Sequence, residues 1–329
     1  MSSLKATFKH GVLLAAANWQ TTLVQSVAHS LFRLLIAVPT IGGAFFVALV
    51  IGAEPSGLLT LEWREMVTTI VTALLSQPFV LAAFLLALAT VVVGGALFMF
   101  LVKAGTMSTL ADGARAVSPV EHSPLYISAL ASASAFSVDA FIENSMRYFS
   151  RFARLGIMLM VVYLLLAAGL LEASVSDRLT SSFLSNPALL TAFFVVGITL
   201  VNLLYLLTQI VIVVDDCGVT AAAWRSLAFL RLDLHRVSQV FGVMLVLETL
   251  ATGVSLLAIG ALSFISFVPF LGLVALPVQL LAWLFRSVVF QFLALTGVAT
   301  YLTLYRTCGS PVVHAARRTG TDEASCSRG

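Results

Sequence analysis

Charge is scarce in this chain. Lys, Arg, Asp and Glu together supply 10% of its 329 residues, against about 25% in soluble globular domains. Apolar residues fill the gap at 60%, and the mean hydropathy is +1.05. A bilayer core takes about 20 consecutive apolar residues as helix, and several runs reach that length without a charge. Catalytic motifs are missing too: there is no HExxH, no GxSxG and no phosphate-binding glycine loop. The histidines (His10, His29, His122, His235, His314) are scattered. Cys217, Cys308 and Cys326 form neither a CxxC pair nor a metal spacing. The chain therefore reads as a non-enzyme without a cofactor, and with no nucleic acid partner. No cleavable signal peptide is expected, because the first long apolar run starts only near Leu31.

What is there is an all-α pattern, a polytopic helical membrane protein. The apolar runs predict six transmembrane helices over 31–53, 78–102, 156–172, 187–214, 238–266 and 276–303. They form one helical membrane domain over 1–306, followed by a disordered tail over 307–329. Pro78, Pro187 and Pro277 stand at the expected starts of the second, fourth and sixth spans. Proline suits a first helical turn, where its missing N–H has no partner to lose. Ser76 and Ser185 precede two of them as caps, and Pro39 predicts a kink within the first span. The prolines suggest three hairpins in series.

Lys and Arg set the orientation. Lys5, Lys9, Arg33, Lys103, Arg115, Arg147, Arg151, Arg154, Arg225, Arg231, Arg236, Arg306, Arg317, Arg318 and Arg328 fall on one side of the predicted bilayer. Only Arg64 and Arg178 fall on the other, with Arg286 inside a span. This asymmetry places both termini in the cytoplasm of a bacterial inner membrane. The free thiols expected of its cysteines agree with that side. The 54–77 loop, with an apolar stretch from Met66 to Leu75, predicts an outer-surface helix or a re-entrant segment.

Each hairpin is expected to follow a cytoplasmic amphipathic helix, around Leu4–Trp19, Ser137–Leu155 and Val219–Arg231. In the second, Phe141, Ile142, Met146, Tyr148, Phe149 and Phe152 share one side, and Glu143, Arg147, Arg151 and Arg154 the other. Such a helix lies in the interface, with its apolar face in the acyl boundary and its arginines toward anionic headgroups. Arg147, Arg151, Arg154, Arg225 and Arg231 are thus candidates for a surface that meets anionic lipid or a membrane-protein partner. Asp233 is expected to end the third helix and cap the fifth span. Glu248 and Arg286 lie within spans at depths about 5–10 Å apart, as an interhelical ion pair or a transport site. Asn202, Gln209, Gln279 and Gln291 read as interhelical hydrogen-bonding groups, and Gly42–Gly43 and Gly94–Gly95 as close-packing points. Asp215 and Asp216 are weak metal candidates, more readily explained by helix termination.

The segment from Val211 to Val237 ends a span in an acidic pair, then gives a glycine, an Ala-x-x-Arg-Ser helix and a basic approach to the next span. With Asp215, Asp216, Gly218, Ala222, Arg225 and Ser226 in these places, it resembles the membrane domain associated with glycerophosphodiester phosphodiesterases and its uncharacterised bacterial relatives. The resemblance covers about 30 residues and the span order. It implies a helical membrane module without the phosphodiesterase reaction, which belongs to a separate soluble barrel.

Overall fold

The computed structural model describes residues 4–51, 68, 72, 75–76, 78–116, 133–175, 187–266 and 271–308. Among these the chain is all-helical, in eight helices: α1 (Leu4–Ala17), α2 (Trp19–Ile51), α3 (Pro78–Ala116), α4 (Val138–Val175), α5 (Pro187–Val214), α6 (Val219–Leu232), α7 (Leu234–Ser266) and α8 (Leu271–Cys308). Six of them are long and apolar enough to cross a membrane. The protein is a polytopic helical membrane protein. Of the expected 307–329 tail, Thr307 and Cys308 end α8 instead; the rest of it and nearly all of the 54–77 loop lie outside the described residues.

Local chemistry explains where helices begin and end. Pro78 and Pro187 open α3 and α5. Ser137 precedes α4, and its carbonyl accepts from the Phe141 N–H at 2.8 Å. Gly218 does the same for α6, accepting from Ala222 at 2.9 Å. Asp233 ends α6 by donating its N–H to the Phe229 carbonyl, and its own carbonyl starts α7 by accepting from Arg236 and Val237. Pro277 departs from expectation: α8 starts at Leu271, so the proline lies inside the helix, as Pro39 lies inside α2. A proline inside a helix forgoes one backbone bond, and a membrane helix tolerates that where local groups compensate.

The residues fall into two compact units, Met1–Gln25 with Lys103–Gly329, and Ser26–Val102. In the smaller unit Gly95 lies against the Phe32 ring so closely that a Cβ would collide with it. Gly42 and Gly94, expected to pack in the same way, face open space. In the larger unit α1 packs along α8, α7 along α8, and α5 against α4, α6 and α8. Its buried residues gather toward the helix ends that carry the arginines, among them Leu207 to Val213, then Val237, Val240 and Met244, and most of Leu295 to Tyr305. Farther along the same helices Phe193, Val196, Leu257 and Leu281 are exposed, as befits surfaces that contact lipid.

The amphipathic segment before the third span is the first part of α4 rather than a separate helix. Its aromatic stripe turns inward, with Tyr148 and Phe152 buried and Phe141 seated where a Cβ on Gly105 would be. Ile142 and Met146 remain exposed. Helical periodicity identifies an apolar face but not whether lipid or protein covers it. Here protein covers it: Gly105 of α3 lies against Phe141 and Ser145, and α4 packs along α5.

Candidate functional site

The C-terminus of α5 is the centre of an ionic cluster. A helix leaves its last carbonyls without partners, and cations near that end satisfy them. Arg115 of α3 donates to the Val213 carbonyl at 3.3 Å and to Asp112 at 2.7 Å. Arg306 of α8 similarly donates to the Ala114 carbonyl at the end of α3. Beyond α5 the chain turns at Asp216, whose φ of 47° lies in the left-handed region. That conformation commonly follows a helix and usually falls to glycine; aspartate tolerates it better than most residues.

The Asp216 carboxylate gives a reason for a side chain at that turn. Its two oxygens accept from Arg147 at 2.6 Å and Arg151 at 2.5 Å, one turn apart on α4. Arg151 also reaches the Cys217 carbonyl at 3.4 Å, and both guanidiniums lie over the Tyr148 ring at 5.3 and 5.6 Å. Asp215 points elsewhere. Its Oδ2 accepts from Arg225 of α6 and from the Tyr305 hydroxyl of α8, both at 2.8 Å. The Asp215 side chain is 7% exposed, whereas that of Arg225 is 44% exposed. Ser226 and Ala222 are buried beneath Arg225, and the Ser226 hydroxyl donates to the Ala222 carbonyl at 2.8 Å. The acidic pair therefore joins α4, α5, α6 and α8.

The expected surface arginines accordingly divide. Arg147, Arg151 and Arg225 are engaged with the acidic pair, while Arg154 and Arg231 are exposed and make no ion pair among the described residues. Asp215 and Asp216 turn to different partners, and no group of three or more metal-ligating His, Cys, Asp or Glu occurs among the described residues. Burial pushes the Cys217 thiol up, away from the thiolate that metal binding or nucleophilic attack would need.

Hydrogen bonds from Arg151 and Arg147 hold the Asp216 carboxyl below its usual range. A carboxyl lowered in the folded state contributes stability that is complete above the ordinary carboxylate range. That stability is lost as pH falls through the lowered pKa. Asp216→Asn keeps a side chain that accepts the left-handed turn but removes the charge. The melting temperature of the variant should lie below that of the wild type at neutral pH, and the gap should close on acidification below about pH 4. A gap that persists unchanged well below that pH would show that the charge of Asp216, held by the two arginines, contributes no stability.

The intramembrane charges do not pair. Glu248 lines a cavity of about 380 Å³ with Lys103, Asn202, Gln209 and Tyr301, whereas Arg286 lines another of about 440 Å³ with Ser255, Gln279 and Trp283. The helix register explains the separation. Met244 of α7 packs opposite Gly297 of α8, with its Cε 3.1 Å from where a Cβ would stand. In this antiparallel pair position 255 then faces Arg286, seven residues or about 10 Å from Glu248. Arg286 stacks instead on Phe290 at 5.5 Å. Asn202 makes the kind of interhelical bond expected, accepting from Tyr163 at 2.5 Å.

Lys103 is a site residue that the sequence concealed. Counted there as a loop cation, it stands thirteen residues before the end of α3, with its ammonium 5.7 Å from the Tyr205 ring centre. The uninterrupted helical register from Lys103 to Ala116 was the available signal. Together these features define a multi-pass membrane protein with an ionic cluster at one end of its helices and a charged cavity within them. Comparison with protein-family models, curated proteins and solved structures finds no match to this chain.

Proposed function

We propose that this is a non-enzymatic module of a bacterial inner membrane, its arginine-bearing end in the cytoplasm, that organises anionic lipid or a membrane-protein partner there. The observation that carries the reading is the company the arginines keep. Exposed Trp224 (72%), Met146 (63%) and Ile142 (53%) lie on the helices that carry them. Apolar side chains interleaved with free cations suit the boundary between acyl chains and anionic headgroups. Three arginines against two aspartates leave the cluster itself positive, and Arg154 and Arg231 add to it. The proposal includes kinship with the membrane domain associated with glycerophosphodiester phosphodiesterases. Asp215, Arg225, Ala222 and Ser226, which carry that resemblance, all serve the joint around α6.

Each basic residue near an anionic surface is worth about 1 kcal/mol. Arg154→Gln with Arg231→Gln should therefore reduce retention of phosphatidylglycerol by roughly thirtyfold. Lipid mass spectrometry of the purified protein, in nanodiscs of mixed phosphatidylcholine and phosphatidylglycerol, measures this. An unchanged lipid profile would count against the reading. A second reading, transport, is favoured by one observation: the cavity at Glu248 also contains Lys103.

A further inference from the structure

We propose that the cavity between α3, α5, α7 and α8 binds a zwitterion, a molecule or lipid headgroup that bears an ammonium and an acidic group. The proposal deepens the transport reading by naming a ligand class, and it is tested by binding rather than flux.

The argument starts from charge. Lys103 stands thirteen residues from the end of α3, and Glu248 fourteen residues from the start of α7. At 1.5 Å per residue both lie about 20 Å along their helices from the arginine-bearing end. They line one cavity yet form no ion pair with each other, and neither has another ionic partner among the described residues. A charge within the membrane is costly unless it is compensated. One positive and one negative group that are held apart are compensated together by a ligand with one charge of each sign. A simple cation or anion would answer only one of them.

The remaining walls fit such a ligand. The volume of about 380 Å³ lies within the range of small-molecule sites. Tyr301 is 3% exposed and lines the cavity, and its hydroxyl has no hydrogen-bond partner among the described residues. A buried hydroxyl without a hydrogen bond costs free energy, so this one is poised to bond a ligand. The Oε1 of Gln25 on α2, which also lines the cavity, is likewise buried without a partner among the described residues. Lys103 is steadied by the face of Tyr205, a contact that leaves its N–H groups available for the acidic end. Glu248 and Leu245 are exposed where they line the cavity, so it opens on the side of the bundle. Phosphatidylethanolamine could reach it from the bilayer, and a free amino acid could present the same two charges.

The test uses the purified full-length protein in a mild detergent, with thermal unfolding and native mass spectrometry as readouts. Three probes are added separately: short-chain phosphatidylethanolamine, phosphatidylcholine, whose cation cannot donate hydrogen bonds, and a mixture of glycine and leucine. Stabilisation by phosphatidylethanolamine but not by phosphatidylcholine assigns the site to a lipid headgroup. Stabilisation by the amino acids assigns it to a solute. In either case Lys103→Met and Glu248→Gln should each weaken binding at least tenfold, as expected for loss of a charge-assisted bond. Tyr301→Phe, which only removes a hydroxyl, should weaken binding several-fold without lowering the melting point of the unliganded protein. No binding of phosphatidylethanolamine or amino acid by the wild type would overturn the proposal. So would binding that survives both charge substitutions in folded protein. Arg154→Gln with Arg231→Gln should leave zwitterion binding intact, so failure of the basic-face reading is told apart from failure of this one.

Discussion

Asp215→Ala is expected to cost about 1.5–3 kcal/mol of stability, the range for a lost hydrogen bond to a charged group. The carboxylate is 7% exposed and holds Arg225 and the Tyr305 hydroxyl at 2.8 Å. Tyr305 is itself buried, edge-on to Phe229 at 5.3 Å between ring centres, so its hydroxyl would lose its acceptor in the interior. Arg225 is nearly half exposed and can turn to water, which keeps the loss below that of a fully buried ion pair. Asp215→Asn retains an acceptor and should cost less. Tyr305→Phe should cost little once Asp215 is alanine, because the partner it serves has gone. Denaturant or thermal unfolding of the four proteins closes the cycle. Additive effects of the two substitutions would mean that the bond has no energetic weight.

Gly11→Ala is expected to destabilise by a similar amount, for a steric reason. A Cβ at Gly11 would stand 2.8 Å from the Thr300 backbone nitrogen and 2.9 Å from its Cα. Backbone atoms cannot swing aside as a side chain can, so α1 would have to move off α8. Overpacking of this kind costs about 1–3 kcal/mol. Thr300→Ala should not repair it, since the colliding backbone remains. Gly94→Ala, with no atom within 4 Å of the new methyl, should be neutral or slightly stabilising because alanine favours helix. If Gly11→Ala melts with the wild type, the close approach of α1 and α8 is wrong.

The sequence revealed the features that are periodic or local. Six apolar runs, the helix at Val219, its end at Asp233 and the prolines that open α3 and α5 are one-dimensional signals. Pro277 misled because proline marks a helix start only statistically; six residues of α8 precede it. Lys103 was hidden by the same rule that revealed orientation, because counting cations treats each one as a boundary marker. Pairing Glu248 with Arg286 needed the register of α7 against α8, which Met244 and Gly297 set and neither span's boundary discloses. The bonds from Arg147 and Arg151 to Asp216 bridge 69 and 65 residues. No spacing rule operates over that distance. Only the gathering of acidic and basic residues at one end of the bundle hinted at them.

The length of α4 has a mechanical consequence. Its 38 residues from Val138 to Val175 form a rod of about 57 Å, against a hydrocarbon core of about 30 Å. Asp216 grips this rod near one end, at Arg147 and Arg151, and about 36 Å of helix extends beyond the grip. A tilt of about 5° there would carry the far end roughly 3 Å, by the geometry of a rigid helix. The bond from Tyr163 to Asn202, about 18 Å beyond the grip, is then what keeps small changes in how the carboxylate is held from being magnified across the bilayer.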